Sequence, residues 1–154
     1  MSLRAEIEEL YAAYVECLDD GPLDAWPELF TDACLYQIIP RDNFERGLPL
    51  AVMLCESKGM LKDRVVAVRQ TSVYAPRTLR HLVGSIRIKE QEATACRVEA
   101  NYVVFETPLE QETRVFNSGR YIDRLVREDG RLKFKEKLCI YDSVLVPGSL
   151  IYPI

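Results

Sequence analysis

The chain contains one histidine, His81, and this residue restricts the available chemistry more than any other. A histidine that a carboxylate orients can act as a general base, so the candidate catalytic pair is His81 with Asp123 or another carboxylate. The spacing fixes no partner, and the alternative is a hydrogen-bonded structural or interface histidine. One chain cannot supply two imidazoles, which excludes a zinc site with several histidine ligands, a two-histidine iron site and a Rieske cluster.

Other side chains suited to chemistry are present but form no motif. We expect the cysteines to be reduced core thiols, because they are odd in number, include no CxxC pair and follow no signal peptide: Cys17, Cys34, Cys55, Cys96 and Cys139. Tyrosines could line a pocket, although buried tyrosines more often belong to the core. No phosphate-binding glycine loop, nucleophile elbow or metal-ligand cluster occurs. The sequence therefore predicts no metal or cofactor site in this chain.

The composition limits the class of protein to which this chain can belong. The 154 residues are 48% hydrophobic and 29% charged, which is typical of one globular domain spanning residues 1–154. A net charge of −4 disfavours the basic surface that nucleic acids require. No uncharged apolar run reaches the roughly 18 residues of a membrane span. We therefore expect a cytoplasmic protein that binds neither nucleic acid nor membrane.

Helical periodicity dominates the first half of the chain. Apolar residues at three- and four-residue steps predict a helix from Leu3 to Leu18, and Gly21-Pro22 ends it. The elements expected next are a short helix at 26–30, a strand at 34–39, a polar loop at 40–49, and one or two helices between 50 and 68.

From residue 79 the apolar period changes to two, which predicts long antiparallel strands. Gly119, in the strand expected at 112–127, suggests a bulge or bend of the kind that a curved sheet needs. Asp129-Gly130 predicts a hairpin turn, and the last strand is expected to expose alternate lysines: Lys133, Lys135 and Lys137. Helices followed by strands predict an α+β fold, with N-terminal helices packed on a curved, mostly antiparallel sheet.

The segment 143–154 is apolar and contains two prolines, which keep it out of a central strand. Chain ends are usually polar, so an apolar one must be covered. We expect its large side chains to lie at an interface with another subunit: Leu150, Ile151, Tyr152 and Ile154. Composition leaves the alternative open, in which the segment packs back on its own sheet.

Several short stretches, spread over almost the whole chain, occur together and in this order in a known family. They are Trp26–Asp32, Gly59–Arg64 with Tyr74–Arg77, Arg80–Leu82, Phe116–Arg124, Asp129–Phe134, Lys137–Asp142 and Ser149–Ile154. None of them is a catalytic motif. Together they resemble the small, or β, subunit of bacterial aromatic-ring-hydroxylating dioxygenases.

This resemblance implies the cystatin-like roll shared by nuclear transport factor two and scytalone dehydratase. It implies a non-catalytic structural subunit whose partner, a separate large α subunit, carries both a Rieske 2Fe-2S cluster and a mononuclear Fe(II). Three α and three β subunits would form a hexamer, in which the β subunits associate as a trimer. A reductase would supply electrons indirectly from NADH or NADPH, and the oxygenase would add O₂ to an aromatic ring in aromatic catabolism.

The substrate implied is an aromatic acid such as anthranilate, salicylate or terephthalate, rather than a hydrocarbon such as naphthalene. Two other functions stay open, because one fold serves several functions. A stand-alone dehydratase, isomerase or cyclase of the same fold would use His81 as base and would need no partner. A ligand-binding module would hold an occupied pocket without turnover.

Overall fold

Helices come first along the chain and long strands follow. The computed structural model describes residues 1–70, 76–143 and 152–154. The helices are α1 (Leu3–Asp19), α2 (Arg41–Glu45) and α3 (Lys58–Gln70), with a 3₁₀ helix at Leu23–Leu29. The strands are β1 (Phe30–Pro40), β2 (Met53–Cys55), β3 (Arg77–Gln91), β4 (Ala95–Pro108), β5 (Arg114–Glu128) and β6 (Arg131–Tyr141).

The described strands form one six-stranded sheet in the order β2-β1-β6-β5-β4-β3. All neighbouring strands are antiparallel except β1 and β6, which are parallel. Helix α1 packs against β3 and β6, and we call the side of the sheet that it covers the inner face. This arrangement confirms the predicted α+β fold, with N-terminal helices on a curved, mostly antiparallel sheet.

Helix α1 forms for the reasons that its sequence predicts. The Ser2 side chain caps the first turn by accepting a backbone hydrogen bond at 3.3 Å. Gly21, with a φ of +78°, adopts the left-handed conformation just beyond the last turn. One face of the helix is buried at helical spacing: Ile7, Leu10, Tyr11, Tyr14, Cys17 and Leu18.

Residues 40–57 differ from the prediction of a polar loop followed by a helix. The loop contains the short helix α2, and strand β2 occupies part of the segment predicted to be helical. Met53 and Cys55 are buried because β2 pairs with the edge of β1. A short apolar run fits a helix and a strand equally well, and here pairing with a distant strand decides between them.

Gly119 has a different role from the predicted bulge. It pairs regularly with Tyr102 on one side and with Tyr141 on the other. A side chain at this position would overlap the backbone carbonyl of Ile140, so glycine is required by close approach of the neighbouring strand. The register shifts of β5 lie elsewhere, opposite Val104/Phe105 in β4 and at Arg124/Leu125.

A second register shift corrects the prediction of three solvent-exposed lysines on β6. Leu125 pairs with Phe134, whereas the preceding residue Arg124 pairs with Glu136, so Lys135 is an extra residue on β6. This bulge reverses the alternation of side chains beyond it. Lys137 therefore points to the inner face, like Phe134, and is fully buried.

Candidate functional site

A buried ion pair lies on the inner face between β5 and β6. Lys137 Nζ is 2.9 Å from Asp123 Oδ2, and both side chains are completely shielded from solvent. The hydroxyl of Tyr11, on α1, donates a 2.5 Å hydrogen bond to the same carboxylate oxygen. Burial raises the pKa of Asp123, and the attraction of Lys137 and the bond from Tyr11 oppose that rise.

Four aromatic rings surround the ammonium group of Lys137. Its Nζ is 3.4 Å from the ring centroid of Tyr121, and the other three centroids lie at 4.5–4.9 Å: Tyr11, Tyr14 and Phe134. The faces of these rings carry partial negative charge, which stabilises a desolvated cation. The pair therefore has compensation beyond its own attraction, as a buried charge requires.

The hydroxyls of Tyr14 and Tyr36 meet a main-chain oxygen a short distance away. Tyr14 donates to the main-chain oxygen of Ile154 at 2.5 Å, and Tyr36 donates to it at 2.8 Å. The thiol of Cys139 contacts the same oxygen at 3.3 Å, and the Ile154 amide donates to Tyr36 Oη at 3.0 Å. Burial raises the pKa of both tyrosines well above their usual value, so both hydroxyls remain neutral donors at physiological pH.

His81 lies on β3 at the C-terminal end of α1, and its partner is Asp19. Its Nδ1 is 2.6 Å from Asp19 Oδ1, and its backbone amide donates to Oδ2 at 2.7 Å. Both side chains are buried, and Nε2 has no hydrogen-bond partner among the described residues. A groove of about 420 Å³ between α1 and residues 81–86 runs past the ring.

Asp123 and His81 have separate sets of hydrogen-bond partners, so the structure gives Asp123 no orienting role toward the imidazole. Asp19 takes that place, which the sequence left open as another carboxylate. The two carboxylate contacts on His81, one to the ring and one to the backbone, tie the end of α1 to β3. They fix the position of His81 in the fold.

The cysteines give no sign of a nucleophile or a metal centre. All five are buried and free, and burial raises the pKa of Cys34 to about 11 and that of Cys139 to about 12. A thiol with a raised pKa is a poor nucleophile at neutral pH. Within the described part of the chain, no group of three or more His, Cys, Asp or Glu side chains could hold a metal ion.

The predicted interface residues of the tail fall into two groups. Leu150 and Ile151 lie outside the described residues. Tyr152 is partly buried, and Ile154 is fully buried in the core of its own subunit. The side chain of Ile154 is therefore already covered without a partner, and the interface prediction continues to apply to the rest of the segment.

The sequence analysis does not identify two of the buried charged residues, Lys137 and Asp19. Strict alternation along β6 predicts that Lys137 lies on the surface beside Lys133 and Lys135, whereas the structure buries it. Asp19 was not singled out, because no local pattern shows that a helix end will meet a strand 62 residues away. Glu136 offers a weak signal for the bulge, since strict alternation would place this charged residue on the apolar face of Leu132 and Phe134.

The fold and these clusters together define a class: an α+β roll in which His81 is paired with Asp19 and Lys137 with Asp123. The comparisons with known proteins agree with that class. The sequence profile of the family described as "Ring hydroxylating beta subunit" matches residues 14–147. The chain therefore belongs to the ring-hydroxylating β-subunit family, and it is the β subunit of an aromatic-ring-hydroxylating dioxygenase, a non-catalytic part of a multicomponent enzyme.

Individual relatives agree with the family. The chain is 38% identical to the anthranilate 1,2-dioxygenase small subunit of Burkholderia cepacia, over 97% of this chain and 92% of that protein. It is 30% identical to terephthalate 1,2-dioxygenase terminal oxygenase component subunit beta 2 of a Comamonas species, over 97% of each chain.

Solved structures agree on the fold. The β subunit of a candidate aromatic-ring-hydroxylating dioxygenase from Novosphingobium aromaticivorans superposes with a TM-score of 0.89 at 46% identity, over 97% of this chain and 95% of that one. A candidate scytalone dehydratase from the same organism shares the fold alone, with a TM-score of 0.71 at 19% identity, over 98% and 92% of the two chains. The cystatin-like roll is thus confirmed, and a stand-alone dehydratase, isomerase or cyclase using His81 is not favoured.

Proposed function

We propose that this chain is the structural β subunit of a cytoplasmic oxygenase for an aromatic acid, with residues 1–154 acting as one domain. The observation that carries the proposal is the state of the buried titratable groups. Asp123 is engaged with Lys137 and Tyr11, and His81 is tied to Asp19. These contacts hold α1 on the sheet, so the groups serve the stability of a scaffold.

The iron chemistry is assigned to a separate large α subunit. A Rieske cluster needs two histidines and two cysteines, and this chain has one histidine. The residues present do not fit that cluster or a two-histidine iron site. The α subunit would therefore carry both the 2Fe-2S cluster and the mononuclear Fe(II). A reductase would deliver electrons to that subunit.

The assembly that we propose contains three α and three β subunits, with the β subunits associated as a trimer. This stoichiometry rests on the resemblance of the chain to its family. The described residues include no helix with the length and apolar character of a membrane span, and the net charge is −4. The negative net charge fits a partner of another protein better than a partner of nucleic acid.

The surface proposed to contact the α subunit is an apolar area on the outer face of the sheet. Leu82 pairs with Val103, and Phe105 pairs with Val115, so these four side chains share the face opposite α1. We call them the outer patch. Leu82 is 56% exposed and Val115 is 58% exposed. An exposed apolar group of this kind is typical of a surface that a protein partner covers.

The tail is proposed to contribute to contacts between subunits. Ile154 anchors the end of the segment in its own subunit, and Tyr152 next to it is only partly buried. We expect the tail upstream of this anchor, including Leu150 and Ile151, to meet a neighbouring subunit. An anchored segment loses less conformational entropy on association than a free one, which favours such a contact.

The substrate class is proposed from the relatives. The anthranilate and terephthalate dioxygenase subunits act in enzymes named for aromatic acids, and both match over 97% of this chain. We expect the reconstituted oxygenase to add O₂ to an aromatic acid, with salicylate as a third candidate. Turnover of anthranilate, terephthalate and salicylate should exceed that of naphthalene and biphenyl. A preference for the hydrocarbons would contradict this part of the proposal.

The outer patch can be tested with a charged residue. In a coexpressed oxygenase, Val115→Asp should reduce recovery of the β subunit with a tagged α subunit at least tenfold, because an isolated carboxylate in an apolar contact is costly to desolvate. The matched control is Val66→Asp on α3, where the valine is also about half exposed. Equal recovery of both variants would exclude the outer patch as the α contact. Loss of β–β association alone would assign the patch to the trimer instead.

A further inference from the structure

Strand β3 forms one edge of the six-stranded sheet, and among the described strands only β4 pairs with it. His81 lies opposite Val104 of β4, but its amide donates to the side chain of Asp19 and so points away from β4. In an antiparallel pair, residues that direct both backbone groups outward alternate with residues that direct both toward the neighbouring strand. The N–H and C=O groups of Leu79 and Val83 therefore point outward as well. Such an edge is a template for a further strand.

Two side chains of α1 contact this edge. Asp19, at the end of the helix, accepts from the His81 amide at 2.7 Å. Arg4, in the first turn, donates from Nη1 to the carbonyl oxygen of Ile86 at 3.2 Å. Each contact satisfies a main-chain group that an added strand would otherwise bond. The groove of about 420 Å³ between α1 and residues 81–86 separates the two contacts, so the edge is covered at two points and open between them.

The regular part of the edge ends at Ser85. Its φ is +51°, in the left-handed region, and the register of β3 on β4 shifts between Gly84 and Arg87. A bulge of this kind interrupts the ladder and increases the local twist, which disfavours pairing beyond it. A further strand can therefore follow β3 only from Arg77 to Gly84, where the register is continuous.

The same edge of a second copy is complementary to this stretch. In an antiparallel arrangement centred on His81, Leu79 of one copy lies opposite Val83 of the other, and their outward backbone groups match. Arg80 then lies opposite Leu82, so like charges do not face each other across the two strands. Leu82 also belongs to the outer patch, which continues the contact as an apolar surface. The arrangement uses one surface twice, as an isologous contact does.

We propose that the β3 edge around His81 is a self-association surface, that Arg4 and Asp19 keep it closed, and that its partner is the same edge of a second copy of this chain. Helix α1 thus has a second task besides covering the inner face, because its two ends carry the residues that occupy the edge. The inference is independent of the oxygenase function.

The test uses the full chain with Asp19→Ala, which uncovers the His81 amide. Mass is measured by light scattering after gel filtration over a range of protein concentrations. The unmodified chain should keep one mass, whereas that of Asp19→Ala should increase with concentration by about twofold or more, because each copy gains a contact with another copy. The matched control is Asp19→Asn, which keeps an oxygen that can accept from the amide and should behave like the unmodified chain. An unchanged mass of Asp19→Ala would overturn the proposal.

A proline tests whether the association uses this edge. Val83→Pro removes an outward N–H and no bond to β4, and proline is tolerated on an edge strand at such a position. Combined with Asp19→Ala, it should restore the mass of the unmodified chain. Association of the double variant as strong as that of Asp19→Ala would overturn the proposal, because the contact would then lie elsewhere.

A destabilised variant separates pairing from general aggregation. Leu125→Ala removes packing from a fully buried position on β5 and leaves the β3 edge covered, so its mass should not increase. Association of Leu125→Ala equal to that of Asp19→Ala would overturn the proposal, since instability alone would then explain both.

If Asp19→Ala does not fold, Arg4→Ala replaces it. Arg4 is exposed, so its loss should leave the fold intact while uncovering the Ile86 carbonyl. The matched control is Glu8→Ala, which removes the ion-pair partner of Arg4 and keeps the arginine. Arg4→Ala should associate, and Val83→Pro should reverse that association. Equal masses of Arg4→Ala and Glu8→Ala would overturn the proposal.

Discussion

Each face of the sheet contains a few residues of a type that is uncommon in its environment. The inner face buries a lysine, two aspartates and a histidine, all of them within hydrogen-bond distance of partners. The outer face exposes Leu82 and Val115, which touch water across more than half of their surface. Buried charges with partners stabilise a unique arrangement, whereas exposed apolar groups gain stability only when another molecule covers them. The inner face therefore serves the fold of the subunit, and the outer face serves assembly.

The largest expected effect comes from breaking the inner ion pair. Asp123→Ala leaves the ammonium group of Lys137 buried without its carboxylate, and we expect it to lower the free energy of unfolding by about 3–5 kcal/mol. Urea denaturation measures the change. The control Glu136→Ala removes an exposed carboxylate from the same strand as Lys137 and should stay within about 0.5 kcal/mol. A loss below about 1 kcal/mol for Asp123→Ala would contradict the role given to the pair.

The double substitution Asp123→Leu with Lys137→Met sharpens the same point. It replaces both charges with apolar groups of similar size, and such replacements are often neutral or stabilising. We expect most of the stability lost in Asp123→Ala to return. If the double variant is as unstable as the single one, the damage comes from packing rather than from an unpaired charge.

A smaller effect is expected at the second buried pair. Asp19→Ala removes the acceptor of both the ring and the backbone amide of His81, which should lower the free energy of unfolding by about 2–3 kcal/mol. Oxygenase turnover per assembled complex should not change, because the pair is assigned a structural role. Asp20→Ala, at the neighbouring exposed position, is the control. A loss of turnover in complexes that assemble fully would restore a catalytic role for His81.

Buried and exposed tyrosines should respond differently to alkaline pH. Burial raises the pKa of Tyr121 well above its usual value, so the folded chain keeps a proton that the unfolded chain releases above about pH 10. The stabilising contribution is thus complete below pH 10 and is lost as the pH rises further, by about 1.4 kcal/mol per pH unit for each such tyrosine.

Tyr121→Phe should remove one such contribution from the slope of stability against pH. At neutral pH it should be neutral or slightly stabilising, because the Tyr121 hydroxyl has no hydrogen-bond partner within the described residues. Urea midpoints measured between pH 8 and pH 11 test both statements. An unchanged slope in the variant would show that Tyr121 is not protected from titration by the fold.

The smallest effect on stability is expected on the outer face. Leu82→Asp should change the free energy of unfolding of the isolated subunit by less than about 0.5 kcal/mol, because the side chain already faces water. The same variant should lose its place in the assembled oxygenase. Asp123→Ala should act in the opposite way: a charge added on the outer face prevents assembly, and a charge removed from the inner face destabilises the subunit. A large loss of stability in Leu82→Asp would remove the distinction between the faces.

The sequence predicted the fold wherever a pattern is local. Helix α1 follows from its apolar spacing and its end signals, and the strands from residue 79 follow from their period of two. Strand β2 could not be predicted, because its three residues become a strand by pairing with β1. The burial of Lys137 depends on one extra residue, Lys135, and a bulge of that kind is fixed by the partner strand.

The candidate site was predicted in part. The sequence predicts His81 as a site residue because it is the sole histidine, with Asp123 as a candidate partner, whereas the structure pairs His81 with Asp19 and Asp123 with Lys137. Each of those contacts joins elements that are distant in the chain, so no spacing rule reveals it. The burial of Ile154 was an alternative left open by an apolar tail, and its hydrogen bonds depend on donors from three elements.

The central claim is that this chain is an iron-free structural subunit, and native mass with iron content tests it most directly. The chain is purified alone and after coexpression with a large α subunit. We expect the chain alone to be free of iron and inactive, and the coexpressed material to contain iron and equal numbers of both subunits. A chain that never joins the α subunit, or that binds iron and turns over substrate by itself, would contradict the account.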